Sequence, residues 1–297
     1  MKQTPQPPCL IVNADDYGYF RCVSQGILAC ARQGIVTATG VFANAPDLAE
    51  QAAWLRECEQ LDTGVHLNLT DGVPLTSDMR QKLSRWSGRF PRKFRLAACV
   101  LSGSITPADV RREWQAQVER CLDLQLQPKF LNSHEHIHML PSLFPVACDI
   151  AANFGIAHLR FPTARLSIKA PPAAQLRGAI MKGLEWANRG ERAPTAPHFL
   201  GLGASGRLTL EDLEREVQTM QAGVVYELMC HPGRFDAQEI SDHRLLDYHD
   251  WDGEFGAMTS PSARALLERR GVRLIGYRHL EMRDGQLAVR PEVLGGN

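Results

Sequence analysis

Along its 297 residues the chain alternates short apolar runs with segments of helical periodicity, and this rhythm constrains the fold more than any single motif. Cys9-Leu10-Ile11-Val12-Asn13-Ala14 is nearly continuous in apolar character, as a strand buried on both faces must be. A helical segment follows from about Arg21 to Gln33, with Val23, Ile27, Leu28 and Ala31 at helical spacing and Gly34 as its C-cap. The pattern recurs, with strands expected at 35–41, 64–69, 129–133, 157–161, 198–202, 224–229 and 272–276. Strands that alternate with helices form a parallel sheet, and eight such units in one domain favour a barrel over an open doubly wound sheet. No G-x-G-x-x-G follows the first strand, which argues against a dinucleotide site. The expected fold is α/β: a distorted parallel (β/α) barrel, TIM-like, with long loops over its C-terminal mouth. One domain is expected over 1–297, with loop insertions at about 70–106 and 234–256 and a peripheral tail after Asp284.

Composition narrows the function classes. Lys+Arg and Asp+Glu both number 33, so the chain lacks the basic excess of a nucleic-acid binder. The eight cysteines show no C-x-x-C spacing and lie mostly in apolar runs, where they read as reduced, buried residues. No run reaches the ~18 apolar residues of a membrane span, and residues 1–5 carry no signal-like apolar core. A cytoplasmic location is expected, with no transmembrane segment; a homo-oligomer is compatible with the sequence.

The unusual polar residues fall where expected strands end. Asp15 and Asp16 follow the first, His66 and Asn68 lie at the third, His134 follows the fourth, Arg160 ends the fifth and His231 follows the penultimate one. Parallel α/β folds carry their chemistry at those carboxyl ends. The stretch Ser133-His134-Glu135-His136-Ile137-His138 adds three histidines and a carboxylate within five residues. One carboxylate and two imidazoles would make a three-ligand set for a divalent ion such as zinc. A second carboxylate could accept a proton from water and a further histidine could protonate a leaving group. Each residue also has a structural reading. Asp15-Asp16 could cap a helix, His66 could be a hydrogen-bonded core histidine, and His231 before Pro232-Gly233 could be a turn residue. His136 and His138 share a face with His134 only if the strand extends that far. Cys230 beside His231 keeps a cysteine nucleophile as a rival.

Five ordered motifs then resemble those of the YdjC-like carbohydrate deacetylases, the group that includes chitooligosaccharide deacetylase and hopanoid-associated proteins. They are Asn13-Ala14-Asp15-Asp16-Tyr17-Gly18, Gly34-Ile35-Val36-Thr37-Ala38-Thr39, Gly64-Val65-His66-Leu67, Ser133-His134-Glu135-His136-Ile137-His138-Met139 and Met229-Cys230-His231-Pro232-Gly233. The resemblance implies a metal-dependent hydrolase that removes an N-acetyl group from an acetylated amino sugar, on an oligosaccharide, a glycan or a lipid-linked sugar. It implies one divalent ion, Zn2+ or Mg2+, held by Asp16, His66 and His134, with Asp15 as general base and His231 as acid or product-stabilising group. Arg160, His136, His138 and Asn68 are expected to face the substrate. Asn132 and Glu135 depart from the pattern of the chitooligosaccharide branch, and the 70–106 stretch is rich in arginine. The competing readings are a non-catalytic carbohydrate-binding barrel, and a metal-dependent amidase or phosphoesterase acting on a non-sugar substrate.

Overall fold

The computed structural model describes residues 6–164, 172–190, 196–283 and 285–294. All eight expected strands form: β1 (Cys9–Tyr17), β2 (Ala38–Val41), β3 (Asp62–Leu67), β4 (Phe130–Ser133), β5 (His158–Leu159), β6 (His198–Leu200), β7 (Val225–Cys230) and β8 (Arg273–Leu274). Their order in the main sheet is β5-β4-β3-β2-β1-β7-β6, with β8 beside β1. The pairings of β1 with β7 and β8, of β3 with β4, of β4 with β5 and of β6 with β7 are all parallel. This is the distorted (β/α)-barrel class. β9 (Leu280–Arg283) and β10 (Gln286–Val289) add an antiparallel hairpin, so the tail after Asp284 forms one arm of a paired element.

The chain falls into two compact units, Met1–Thr39 with Glu57–Asp62 and Thr195–Asn297, and Gly40–Arg56 with Thr63–Pro194. In the first, every residue of β1 and β7 is buried, which is why their sequences read as continuous apolar runs. Helix Arg21–Gln33 buries Val23, Ile27 and Leu28, and ends where the Gly34 N–H meets the Cys30 carbonyl. Gly26 in that helix has no room for a Cβ, which would lie 2.6 Å from the Gly233 backbone. The helix can therefore abut the loop that follows β7.

In the second unit, helix Pro107–Asp123 is the clamp. Its buried carboxylate Glu113 accepts hydrogen bonds from the backbone N–H of Leu75 and of Thr76, both at 2.9 Å. Gln117, also buried, bonds both the N–H and the carbonyl of Asn68 at 2.8 Å. These two side chains fasten the segment leaving β3 to the helix.

Both expected loop insertions contain helices. Residues 70–106 include Ser77–Lys82 and Lys93–Leu101, with a 3-10 turn at Ser84–Trp86. Residues 234–256 contain His243–Tyr248 and the start of Trp251–Thr259. Two of the acidic residues that made the latter look like a loop are caps: Asp242 accepts from the Arg244 N–H and Asp250 from the Gly253 N–H.

Helix Pro107–Asp123 opens on a capping box between Thr106 and Asp109, with Pro107 at its first position. Burial pushes the Asp109 carboxyl up, but bonds from Lys82 and Thr106 outweigh it and hold it at about 2. Because the folded-state value is depressed, this stabilisation is full above the ordinary carboxylate range and is lost as pH falls through that range towards about 2. Thr106→Ala should cost about 1 kcal/mol in denaturant unfolding at neutral pH. Asp109→Asn should remove part of the acid-induced loss, read as melting temperature against pH.

Candidate functional site

In the first unit, β1 delivers two consecutive aspartates at its carboxyl end, and both are buried. Strict strand alternation would send neighbours to opposite faces. Asp16 breaks it by taking a left-handed conformation, φ +70°. For a residue with a Cβ this costs on the order of 1 kcal/mol, although Asp tolerates it better than most. Asn13, two residues upstream, donates through Nδ2 to Glu227 on β7 at 3.1 Å and to Asp15 at 3.4 Å. It thereby ties the base candidate to a second buried carboxyl group.

His231 follows β7 and is buried. Its backbone N–H donates to Glu254 at 2.5 Å, and its Nδ1 lies 3.9 Å from the same carboxyl group. Glu254 also accepts from the Leu208 N–H at 3.1 Å. Burial pushes the Glu254 carboxyl up to about 8; the Asp250 and Asp15 carboxylates push the same way, against the two N–H donors. The His231 ring lies 5.3 Å from that of His249, which stacks at 4.7 Å on Trp251. Glu254, His249 and Trp251 thus frame the acid candidate. They lie in the acidic stretch that reads as a loop, and the only sequence signal was an acid at helical spacing behind the Asp250 cap.

In the second unit, His66 lies one residue before the end of β3, with Nδ1 2.7 Å from Asn132 Oδ1. An amide oxygen only accepts, so Nδ1 carries the proton and Nε2 is left with its lone pair. Gly40 makes this pairing fit, since a Cβ there would lie 2.9 Å from Asn132 Oδ1 and 3.1 Å from His66 Nδ1. Asn132, one of the two departures noted in the sequence, therefore orients His66. The ring of Phe42 lies 5.7 Å from His66 and 4.9 Å from His134, and the two imidazoles are 5.6 Å apart at 73°.

β4 stops at Ser133, so His136 and His138 do not continue its face. The chain turns through His134–Met139 with Glu135 and His136 both left-handed, φ +53° and +55°. Two successive strained residues directly after His134 are the kind of backbone outlier that accumulates at functional sites. His138 folds back beneath the turn, fully buried, its Nε2 donating to the Arg160 carbonyl at 3.0 Å while Nδ1 pairs with the Ser133 hydroxyl. Asn68 is also fully buried: its amide donates to Asn44 and to the Asp71 carbonyl, and its Oδ1 accepts from the Thr70 and Asp71 N–H groups. These two, expected to face substrate, spend these polar atoms on the protein itself. Arg160 is buried and His136 is half-buried.

Among the described residues, Asp16 of the first unit and His66 and His134 of the second are the ones whose side chains could serve as ligands to a metal ion. One carboxylate and two imidazoles suit a divalent ion, and the tautomer fixed on His66 presents the lone pair such an ion needs. Cys230 lies within β7, buried, with its thiol directed to the Asn13 carbonyl at 3.6 Å. That is the setting of a structural cysteine.

A family model described as YdjC-like protein matches residues 9–269. The chain belongs to the YdjC-like family. It is 31% identical over 276 residues to a carbohydrate deacetylase of Geobacillus stearothermophilus, covering 92% of this chain and 98% of the relative. It is 29% identical to a chitooligosaccharide deacetylase of Klebsiella pneumoniae (strain 342), covering 91% and 98%. A solved structure from Enterococcus faecalis V583, described as a candidate cellobiose-phosphate cleavage protein, shares the fold with a TM-score of 0.71 at 24% identity, covering 92% and 98%.

Because the Glu254 carboxyl is raised, the folded protein holds a proton there that the unfolded chain loses above the ordinary carboxylate range. Stability should therefore fall as pH rises from that range towards about 8. Glu254→Gln should flatten this part of the profile of melting temperature against pH, and an unchanged profile would show that Glu254 does not titrate there.

Proposed function

We propose that this YdjC-like protein is a hydrolase that removes the N-acetyl group from an acetylated amino sugar. The observation that carries the reading is the Asp16, His66 and His134 group at the ends of three strands, in a chain whose relatives are named carbohydrate deacetylases. Those three residues would hold one divalent ion. Their mixed carboxylate and imidazole chemistry favours zinc over magnesium. Such an ion, when bound, polarises an acyl oxygen and acidifies water.

The remaining work falls to the chain's own side chains. Asp15, held by Asn13, takes the proton from the attacking water. The new C–O bond forms as the amide C–N bond breaks, giving acetate and a free amine. His231 delivers a proton to the departing nitrogen. Glu254 fixes the His231 backbone through its N–H, and the stack of His249 on Trp251 walls the ring. Arg160 and His136 are left as the substrate-facing candidates, with Asn68 and His138 shaping the loops that carry them. The free cysteines fit a reducing, cytoplasmic setting. No described helix is long and apolar enough to cross a membrane.

The test is acetate release from acetylated amino sugars by protein stripped of metal and then reloaded. Activity should return with the ion. Asp15→Asn and His231→Ala should each lower kcat by roughly 10²–10⁴-fold, whereas Cys230→Ser should change it little. No release from any acetylated sugar by metal-loaded protein would refute the proposal. Asn132→Ala should weaken metal binding about 10–100-fold in a chelator competition, a readout independent of turnover.

A further inference from the structure

Two helices of the second unit turn apolar side chains outward. Helix Lys93–Leu101 buries Leu96, Cys99 and Val100 but exposes Phe94 and Leu101, at 75% and 81%. Ala98, between them at helical spacing, is exposed too. Helix Pro172–Ala187 does the same: Leu176, Ile180 and Trp186 are 63%, 49% and 76% exposed. Its inward side holds Met181 and a carboxylate, Glu185, paired with Lys182 and Arg189. A helix that buries a charge and presents leucine, isoleucine and tryptophan to solvent is inverted relative to an ordinary surface helix.

Both helices are fastened to the same turn. Lys93 pairs with Glu135 at 2.8 Å, and Asn188, just past the second helix, donates to the Met139 carbonyl at 2.7 Å. Glu135 and Met139 belong to the turn that begins at His134. The two helices that carry the apolar stripes are therefore both tied to the His134–Met139 turn.

Charge decides what would cover them. The chain as a whole is neutral, yet between Asp78 and Asp109 the sequence has seven Lys and Arg and no acid. Between Asp149 and Glu185 it has five, of which Arg160 is buried, and no acid. Arg95 on the first helix and Arg92 at its N-cap, and Arg177 and Lys182 on the second with Arg189 just past it, are exposed beside the stripes. Such a surface would repel a second copy of itself, because two copies would bring like charges together. Apolar side chains rimmed by cations, with a tryptophan at the margin, match the interface of a bilayer that carries anionic headgroups.

We infer that helices Lys93–Leu101 and Pro172–Ala187 form a peripheral membrane-docking surface for anionic lipid beside the His134 turn. Phe94, Leu101, Ile180 and Trp186 enter the headgroup boundary while the arginines and lysines meet the phosphates.

The test is flotation of the full chain with vesicles of phosphatidylcholine alone and of phosphatidylcholine mixed equally with phosphatidylglycerol. Binding should require the anionic lipid and weaken with added salt. A combined Phe94→Ser, Leu101→Ser, Ile180→Ser and Trp186→Ser variant should bind at least about tenfold more weakly. Its melting temperature, and its activity on a soluble substrate of the parent, should be retained. Arg92→Gln with Arg95→Gln and Arg177→Gln should show the same loss. Absence of binding by the parent chain, or undiminished binding by both variants, overturns the inference. A dimer that the serine variant converts to monomers, with no vesicle binding by the parent, would assign the stripes to a contact between copies and overturn it equally.

Discussion

Parallel strands that are buried on both faces can carry reactive groups only where they end, and the candidate site follows from that constraint. β1 is buried throughout, so its polar residues are confined to Asn13, Asp15 and Asp16 at the carboxyl end. β3 places His66 one residue before its end, β4 stops just before His134, and β7 stops just before His231. Ending a strand is not sufficient by itself. Asp16, Glu135 and His136 all take left-handed backbone conformations, which redirect the chain within one residue of leaving a strand. Each costs on the order of 1 kcal/mol, supplied by the packing around it.

Around these ends the protein spends buried hydrogen bonds on orientation. Asn132 sets the tautomer of His66, with Gly40 leaving room for the pair. Glu113 and Gln117 bind the backbone after β3, and Asn68 closes that segment from within. Glu254 performs the same service for the His231 backbone. A raised carboxyl value at Glu254 is the expected companion of that burial.

Much of this was legible in the sequence. Eight apolar runs announced eight strands, and Asp15, Asp16, His66, His134 and His231 stood out because ionisable residues rarely occupy strand ends without a task. The supporting residues were not legible. Glu254 lies more than twenty residues beyond His231 in an acidic segment, and nothing local distinguishes a carboxylate that orients a backbone from one on a solvated loop. His138 and Asn68 show why: a buried polar side chain bonded to the protein looks the same in sequence as one awaiting a ligand. The helices within 70–106 were hidden by the Gly, Pro and Ser at their joints, and the outward direction of Phe94 and Leu101 is visible only in their burial.

The account rests on three side chains sharing one ion. The most direct measurement is anomalous diffraction at the metal absorption edge from crystals grown with zinc or a heavier divalent ion. One strong peak is expected, ligated by the Asp16 carboxylate, His66 Nε2 and His134, with the Asp15 carboxylate outside the coordination sphere. A peak held by Asp15 in place of Asp16, by His136 or His138, or by no residue of this group would contradict it.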